Sequence, residues 1–202
     1  MSGQPRRTFT LGVAGIGIGL ALGACASPGP AASPYAGDLR TVALAAALEN
    51  QAVTAYRAVE AALRGGKLGP AIPALSAFVQ AATAHHVQHA ATWNAILHGA
   101  RKPVVTGTPL SGNAQLMDSI QAASTVDELV AAVHGMETQA ARTHAAAVGD
   151  LAASGPAVTA AATIAPVEAM HAAALGYLLS GQSAVVSFIG TGGALSTTSL
   201  TA

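Results

Sequence analysis

Charged side chains are scarce in this sequence of 202 residues, and aromatic side chains are scarcer still. Asp, Glu, Lys and Arg make up 9% of the chain with a formal net charge of zero, so the chain lacks the basic face that nucleic-acid binding requires. Phe, Trp and Tyr make up 3%, so the core must be aliphatic. Hydrophobic residues reach 51%, and this excess of apolar over charged residues excludes a disordered chain.

The single cysteine, Cys25, excludes an internal disulfide framework and a multi-cysteine zinc site. It follows an apolar stretch, 11–24, that is too short to span a bilayer comfortably and predicts a signal peptide over 1–24. The paired arginines at positions 6 and 7 resemble a twin-arginine export signal. Leu22-Gly23-Ala24-Cys25 resembles a bacterial lipobox, in which the cysteine becomes lipidated.

Together these motifs predict an exported protein that is lipid-anchored through Cys25 on the outer face of the cytoplasmic membrane. Residues 25–37 are mostly Pro, Ser, Ala and Gly and predict a flexible tether between the lipid and the folded domain. Two alternatives stay open at this point: an uncleaved membrane anchor, and a plain secretory signal with an incidental cysteine.

The Ala-rich chain that follows predicts an all-α domain over 38–180. The first helix is expected over 38–64, with Asp38 as its capping residue, and the second over 73–99. The third is expected to be capped by Ser124 or Thr125 and to end at about 153. The fourth is expected over 158–179, with a kink at Pro166. A connection over 101–124, with a possible short helix at 114–123, joins the two helix pairs, and 181–202 forms a C-terminal tail. Short turns on either side of one long crossover predict two antiparallel helical hairpins.

Each long helix carries acidic or imidazole groups in an apolar setting. These residues are Glu49 and Tyr56 in the first helix, His85, His86 and His89 in the second, Glu137 and His144 in the third, and Glu168 and His171 in the fourth. Spacings of three, four or seven residues turn such side chains to one helix face. Counted from the turns, they also lie at similar heights in the two hairpins. Burying them together is costly unless a bound cation compensates them, so the pattern predicts a metal site.

The same residues resemble the ferritin-like superfamily, and most closely its exported bacterial domains, through Leu48-Glu49-Asn50-Gln51 and Val167-Glu168-Ala169-Met170-His171. The resemblance implies a ferritin-like antiparallel four-helix bundle with a di-iron or di-manganese centre. It also implies the ligands Glu49, His89, Glu137, Glu168 and His171, with His86 where the family usually has Glu. Tyr56, His144 and His85 are expected to support these ligands.

His86 departs from the family pattern, because it would give the site three carboxylates and three imidazoles. Imidazole shifts the preference from iron or manganese toward zinc or copper, and a single ion or an empty site becomes more credible. His85 is a rival ligand because it lies four residues before His89; His86 matches the spacing of Glu168 and His171 better.

Two functions remain open from the sequence. In the first, a transition-metal centre reacts with dioxygen or peroxide as an oxidase or peroxidase, or the chain only binds metal. Iron or manganese is the expected metal, ahead of zinc or copper. In the second, the chain is a non-catalytic surface lipoprotein that keeps the bundle as a binding or structural module. The expected partners are metal ions and, through the lipid on Cys25, the membrane; a protein partner is not identified.

Overall fold

A computed structural model describes residues 33–70, 72–151, 155–180 and 190–202. The predicted signal peptide, the predicted lipidation site Cys25 and the start of the predicted tether lie outside these residues, as does the apolar part of the tail over 184–189. Within the described residues five α-helices follow one another: α1 Asp38–Arg64, α2 Pro73–Gly99, α3 Asn113–Ala122, α4 Val126–Asp150 and α5 Gly155–Ser180. Within the described ranges the chain forms no strand beyond one isolated antiparallel bridge between Leu110 and Leu200. The prediction of an all-α domain is confirmed.

The helix ends follow local chemistry. Thr125 caps α4 through a capping box, in which its hydroxyl accepts a hydrogen bond from the Glu128 backbone while the Glu128 carboxylate accepts from the Thr125 backbone. Pro73 opens α2, where a missing N–H costs nothing. Asp38 is the first residue of α1 and not its cap, because Gly37 holds the capping position with a φ of 54° and no side chain bonds there. The helix α5 runs through Pro166, and the kink expected there stays a prediction.

The long helices pack in pairs, α1 against α2 and α4 against α5, and α1 also contacts α4 while α2 contacts α5. The crossover is held to α1 and α2 by two asparagines. The Asn50 and Asn94 side chains both donate to the Val105 carbonyl, at 2.8 and 2.9 Å, and the Val105 amide donates to Asn94 at 2.8 Å. These bonds satisfy a buried loop backbone that would otherwise lack partners.

Residues on either side of the helical domain also lie against it. Tyr35, in the stretch predicted as tether, is buried and donates its hydroxyl to the Pro103 carbonyl at 3.1 Å. In the tail, the Leu195 amide donates to Thr143 at 2.9 Å, and Leu200 packs into the core. The end of the tether and the described part of the tail, 190–202, are therefore structured parts of the domain.

The apolar core consists of two clusters separated along the helices. The first includes Leu48, Trp93, Ala147 and Ile164, and the second includes Ala52, Ala82, Met136 and Leu175. In each long helix the predicted metal-site residues fall in sequence between these two sets. The site is thus a polar layer enclosed between two apolar ones.

Candidate metal centre

Six of the predicted acidic and imidazole side chains are buried, with no more than 3% of any residue exposed: Glu49, His86, Glu137, His144, Glu168 and His171. Each of the four long helices supplies at least one of them. In α4 and α5, a spacing of seven or three residues keeps two of these side chains on the inner face of the helix. His89 lies beside them with 14% of its side chain exposed. The residues predicted from the sequence are therefore brought together.

A first donor group consists of Glu49, His86, His89 and Glu168, each of which offers one atom within 4.8 Å of the other three. His89 Nδ1 lies 2.8 Å from Glu168 Oε1 and 3.4 Å from Glu49 Oε2. His86 Nδ1 lies 2.8 Å from the same Glu49 oxygen. Carboxylates and imidazoles at this spacing are suited to one divalent transition-metal ion.

A second donor group, with the same spacing limit, consists of His86, Glu137, Glu168 and His171. His171 Nδ1 lies 3.4 Å from Glu137 Oε1 and 3.3 Å from Glu168 Oε2. His86 Nε2 lies 3.0 Å from Glu137 Oε1 and 3.7 Å from Glu168 Oε2. Glu168 and His86 belong to both groups, so the layer offers two adjoining positions with two residues in common.

The two shared residues differ in chemistry. Glu168 turns one carboxylate oxygen toward His89 and the other toward His171. His86 turns one ring nitrogen toward Glu49 and the other toward Glu137, both at hydrogen-bond distance. His85 belongs to neither donor group, so the geometry favours His86 over its rival.

Three residues support the donor groups from outside. Tyr56 donates its hydroxyl to Glu137 Oε1, and burial followed by the Glu137 charge raises the pKa of Tyr56. His144 Nε2 lies 2.7 Å from Glu49 Oε1, and its ring stacks on Trp93 with centroids 5.6 Å apart. The Tyr56 hydrogen bond orients the Glu137 carboxylate, whereas His144 approaches Glu49 closely without hydrogen-bond alignment.

The third supporting residue is His85, whose Nδ1 lies 3.0 Å from His171 Nε2. The other nitrogen of His171, Nδ1, is the one that faces the carboxylates. Partial burial and then the neighbouring His171 lower the pKa of His85. A hydrogen bond to the outer nitrogen of His171 orients its ring toward the donor group.

The electrostatics of the layer favour charged carboxylates. Burial alone would raise the pKa of Glu49, but the imidazoles of His144 and His86 outweigh it and hold that pKa well below the usual range. Burial alone would also raise the pKa of Glu137, but His86 and then His171 lower that pKa below the usual range. Glu49 and Glu137 are therefore ready to bind a cation without first losing a proton.

The imidazoles respond in the opposite sense. Burial would lower the pKa of His89 and of His171, but the adjoining carboxylates raise both values to about 9. For His86, burial is outweighed first by the charge of Glu137, and its pKa is raised well above 6.5. Without a cation, protons on the imidazoles compensate the carboxylates.

The donor atoms fit a metal ion better than they fit one another. Several buried atoms have no hydrogen-bond partner among the described residues: Glu49 Oε1, His89 Nδ1, Glu137 Oε2, Glu168 Oε1 and Oε2, and His171 Nδ1. Some contacts, such as His89 Nδ1 to Glu168 Oε1, are short but lack hydrogen-bond alignment, so they are close approaches and not bonds. Such atoms are rare in protein interiors unless an ion or water satisfies them. The residues present therefore fit a metal.

Comparison with known proteins agrees with this geometry. The family model of the ferritin-like domain matches residues 38–181. The chain belongs to the ferritin-like domain family. No curated protein and no solved structure matches it. In this ferritin-like domain, the matched segment contains every helix that supplies a donor.

The sequence did not reveal every contact around the ferritin-like centre. The sequence gives no sign that Trp93 stacks on His144. The carboxylate to which His144 turns was also missed. The sequence could show only that these side chains face the inside of the domain. Which side chains of different helices meet depends on how the helices are rotated.

Proposed function

We propose that this ferritin-like chain binds two divalent transition-metal ions between its four long helices, arranged as an antiparallel bundle of two hairpins joined by the crossover. The observation that carries the proposal is the pair of buried donor groups that have Glu168 and His86 in common. Glu49 and His89 would hold the first ion, and Glu137 and His171 the second. The packing of α1 on α2 and of α4 on α5 supports this arrangement.

The proposed chemistry is redox chemistry with dioxygen or peroxide. A redox-active ion, when bound, supplies the electrons for reducing such an oxidant. The chain contributes three effects: the charged carboxylates of Glu49 and Glu137, the His171 ring oriented through its outer nitrogen, and two apolar clusters that exclude water. The Tyr56 hydroxyl adds a proton donor at Glu137 Oε1. Oxygen consumption by the iron-loaded protein, compared with the metal-free protein, tests this part.

Iron or manganese is the proposed physiological metal, because carboxylates make up half of the six ligands. The imidazole of His86 in place of a carboxylate brings zinc and copper closer in affinity. A thermal-melt series with added iron, manganese, zinc and copper ranks these ions, since an ion that binds only the folded state raises the midpoint. Zinc binds most such sites more tightly than iron, so the result that would contradict the proposal is the absence of any shift with both iron and manganese.

Metal analysis of protein purified without chelator tests the binding itself. We expect two ions per chain in the parent protein, one after His89→Ala or His171→Ala, and none after Glu168→Ala, because Glu168 belongs to both donor groups. His98→Ala, an exposed histidine near the end of α2, is the matched control and should keep both ions. A parent protein without metal would overturn the proposal and favour the non-catalytic surface lipoprotein.

We also propose that the protein is exported through its twin-arginine signal and anchored by a lipid on Cys25. The support is the order of the motifs before the domain, which are the paired arginines, the apolar stretch and the lipobox. Mass spectrometry of the membrane fraction should find a mature chain that starts at acylated Cys25. A soluble, unprocessed chain would refute the anchor, and replacing both arginines by lysine should block export.

A further inference from the structure

The outer surface of α2 and α5 carries no Asp, Glu, Lys or Arg side chain. The 27 residues of α2 contain no Asp, Glu, Lys or Arg, and α5 contains only Glu168, which is buried. In contrast, α1 and α4 expose charges such as Arg57, Arg64, Asp127 and Arg142. Since α2 and α5 contact each other, their outer sides form one continuous uncharged surface.

Large apolar side chains are exposed on this surface. Met170 is 58% exposed, Tyr177 56% and Leu178 45%. Small and neutral polar residues lie around them, which lets another surface approach closely. We call this surface the α2/α5 face and define it by the exposed residues Gln88, Thr92, Thr163, Met170, Tyr177 and Leu178.

We propose that the α2/α5 face is the interface of a homodimer, in which a second copy of this chain covers the same face. A helix of 27 residues is about 40 Å long, and two packed helices are about 20 Å wide. The face therefore offers about 800 Å² per partner, which is the area of a standard stable interface. Two uncharged faces related by a two-fold axis meet without repulsion.

A membrane surface fits the α2/α5 face less well. Helices that lie on anionic bilayers combine apolar residues with Lys and Arg on the flanking polar side. Neither α2 nor α5 contains a basic Lys or Arg side chain, so nothing there attracts lipid phosphates. A second copy needs no such charge, and it is the occupant that the composition favours.

The dimer would also enclose the least protected side of the metal layer. His85 is half-buried on α2, and its Nδ1 reaches His171 on α5, so this pair lies where the two helices meet. His89, next to it, keeps 14% of its side chain exposed. A partner on the α2/α5 face would separate these imidazoles from bulk water. The interface itself does not depend on bound metal.

The test is sedimentation equilibrium of the mature chain, 25–202, carrying Cys25→Ser, so that neither an acyl group nor the apolar signal peptide drives association, in buffer with chelator. We expect a dimer with a dissociation constant in the micromolar range or below. Tyr177→Lys should weaken it at least about tenfold, because the two-fold axis places the added charge twice in the interface. Val148→Lys, at an exposed apolar position of α4, is the matched control and should leave the dimer intact.

Thr163→Lys serves as a second variant on the α2/α5 face, and circular dichroism confirms that each variant is folded. A monomeric parent chain, or a dimer that neither face variant weakens, overturns the proposal. The parent chain is also sedimented with vesicles of zwitterionic and anionic lipid. Binding that Tyr177→Lys abolishes would assign the face to the membrane and likewise overturn the dimer.

Discussion

The raised pKa values of His89 and His171 make metal binding compete with protons. A metal-bound imidazole nitrogen must be free of its proton, and at pH 7 each of these rings lies about two units below its pKa of about 9. Each position should therefore bind metal about a hundredfold more weakly at pH 7 than well above pH 9, which corresponds to about 2.7 kcal/mol. Between pH 6.5 and 8.5, affinity should rise about tenfold per pH unit.

Zinc binding measured against a chromophoric chelator at several pH values gives this slope. Calorimetry in buffers of different ionisation enthalpy counts the protons released, and we expect about three for two ions at pH 7, because His89, His171 and His86 all have raised pKa values. Release of only two protons would show that His86 does not bind metal. His98→Ala should not alter the slope. Tight binding whose affinity does not change with pH would refute the reasoning.

Four further outcomes are expected. Tyr56→Phe removes the hydroxyl that orients Glu137 and should weaken only one of the two metal positions, by about 10–100-fold in a two-site titration. Trp93→Ala removes a fully buried ring stacked on His144 and should lower the free energy of unfolding by about 3–5 kcal/mol in urea denaturation. Thr125→Ala removes the α4 cap and should cost about 1 kcal/mol by the same measurement. The metal-free protein should be most stable between about pH 4.5 and 6.5 in thermal melts. The imidazoles with raised pKa values stabilise the folded protein below about pH 6.5, and this stabilisation is lost as the pH rises through about 9. The carboxyl group with a lowered pKa, Glu137, stabilises the folded protein above about pH 4.5, and this stabilisation is lost on acidification. A pH-independent midpoint would contradict the last expectation.

Helix positions and inward faces were predictable because both follow from local spacing. Glu168 and His171 share a face by the geometry of a single helix, and the turn at Gly65 sets the height of Glu49. The capping box at Thr125 is likewise a local signal. Most of the centre could therefore be assigned from residues that are close in sequence.

Contacts between distant segments were not predictable in the same way. The bonds from Asn50 and Asn94 to Val105 join three segments whose approach depends on the whole packing. Tyr35 was assigned to a flexible tether because Pro, Ser and Gly surround it, yet one aromatic ring finds a buried site. The helix rotations that bring distant side chains into contact leave no periodic signal in the sequence.

The polar layer between the two apolar clusters also has a mechanical consequence. Leu48 and Ala52 lie on either side of Glu49 in one helix, but across the layer the clusters are joined by charges instead of interdigitating aliphatic side chains. A bound ion would hold the two clusters together across the polar layer. Without the ion, the polar layer is the plane along which the domain would first open. Loading the ion would then couple the two ends of the molecule into one cooperative unit.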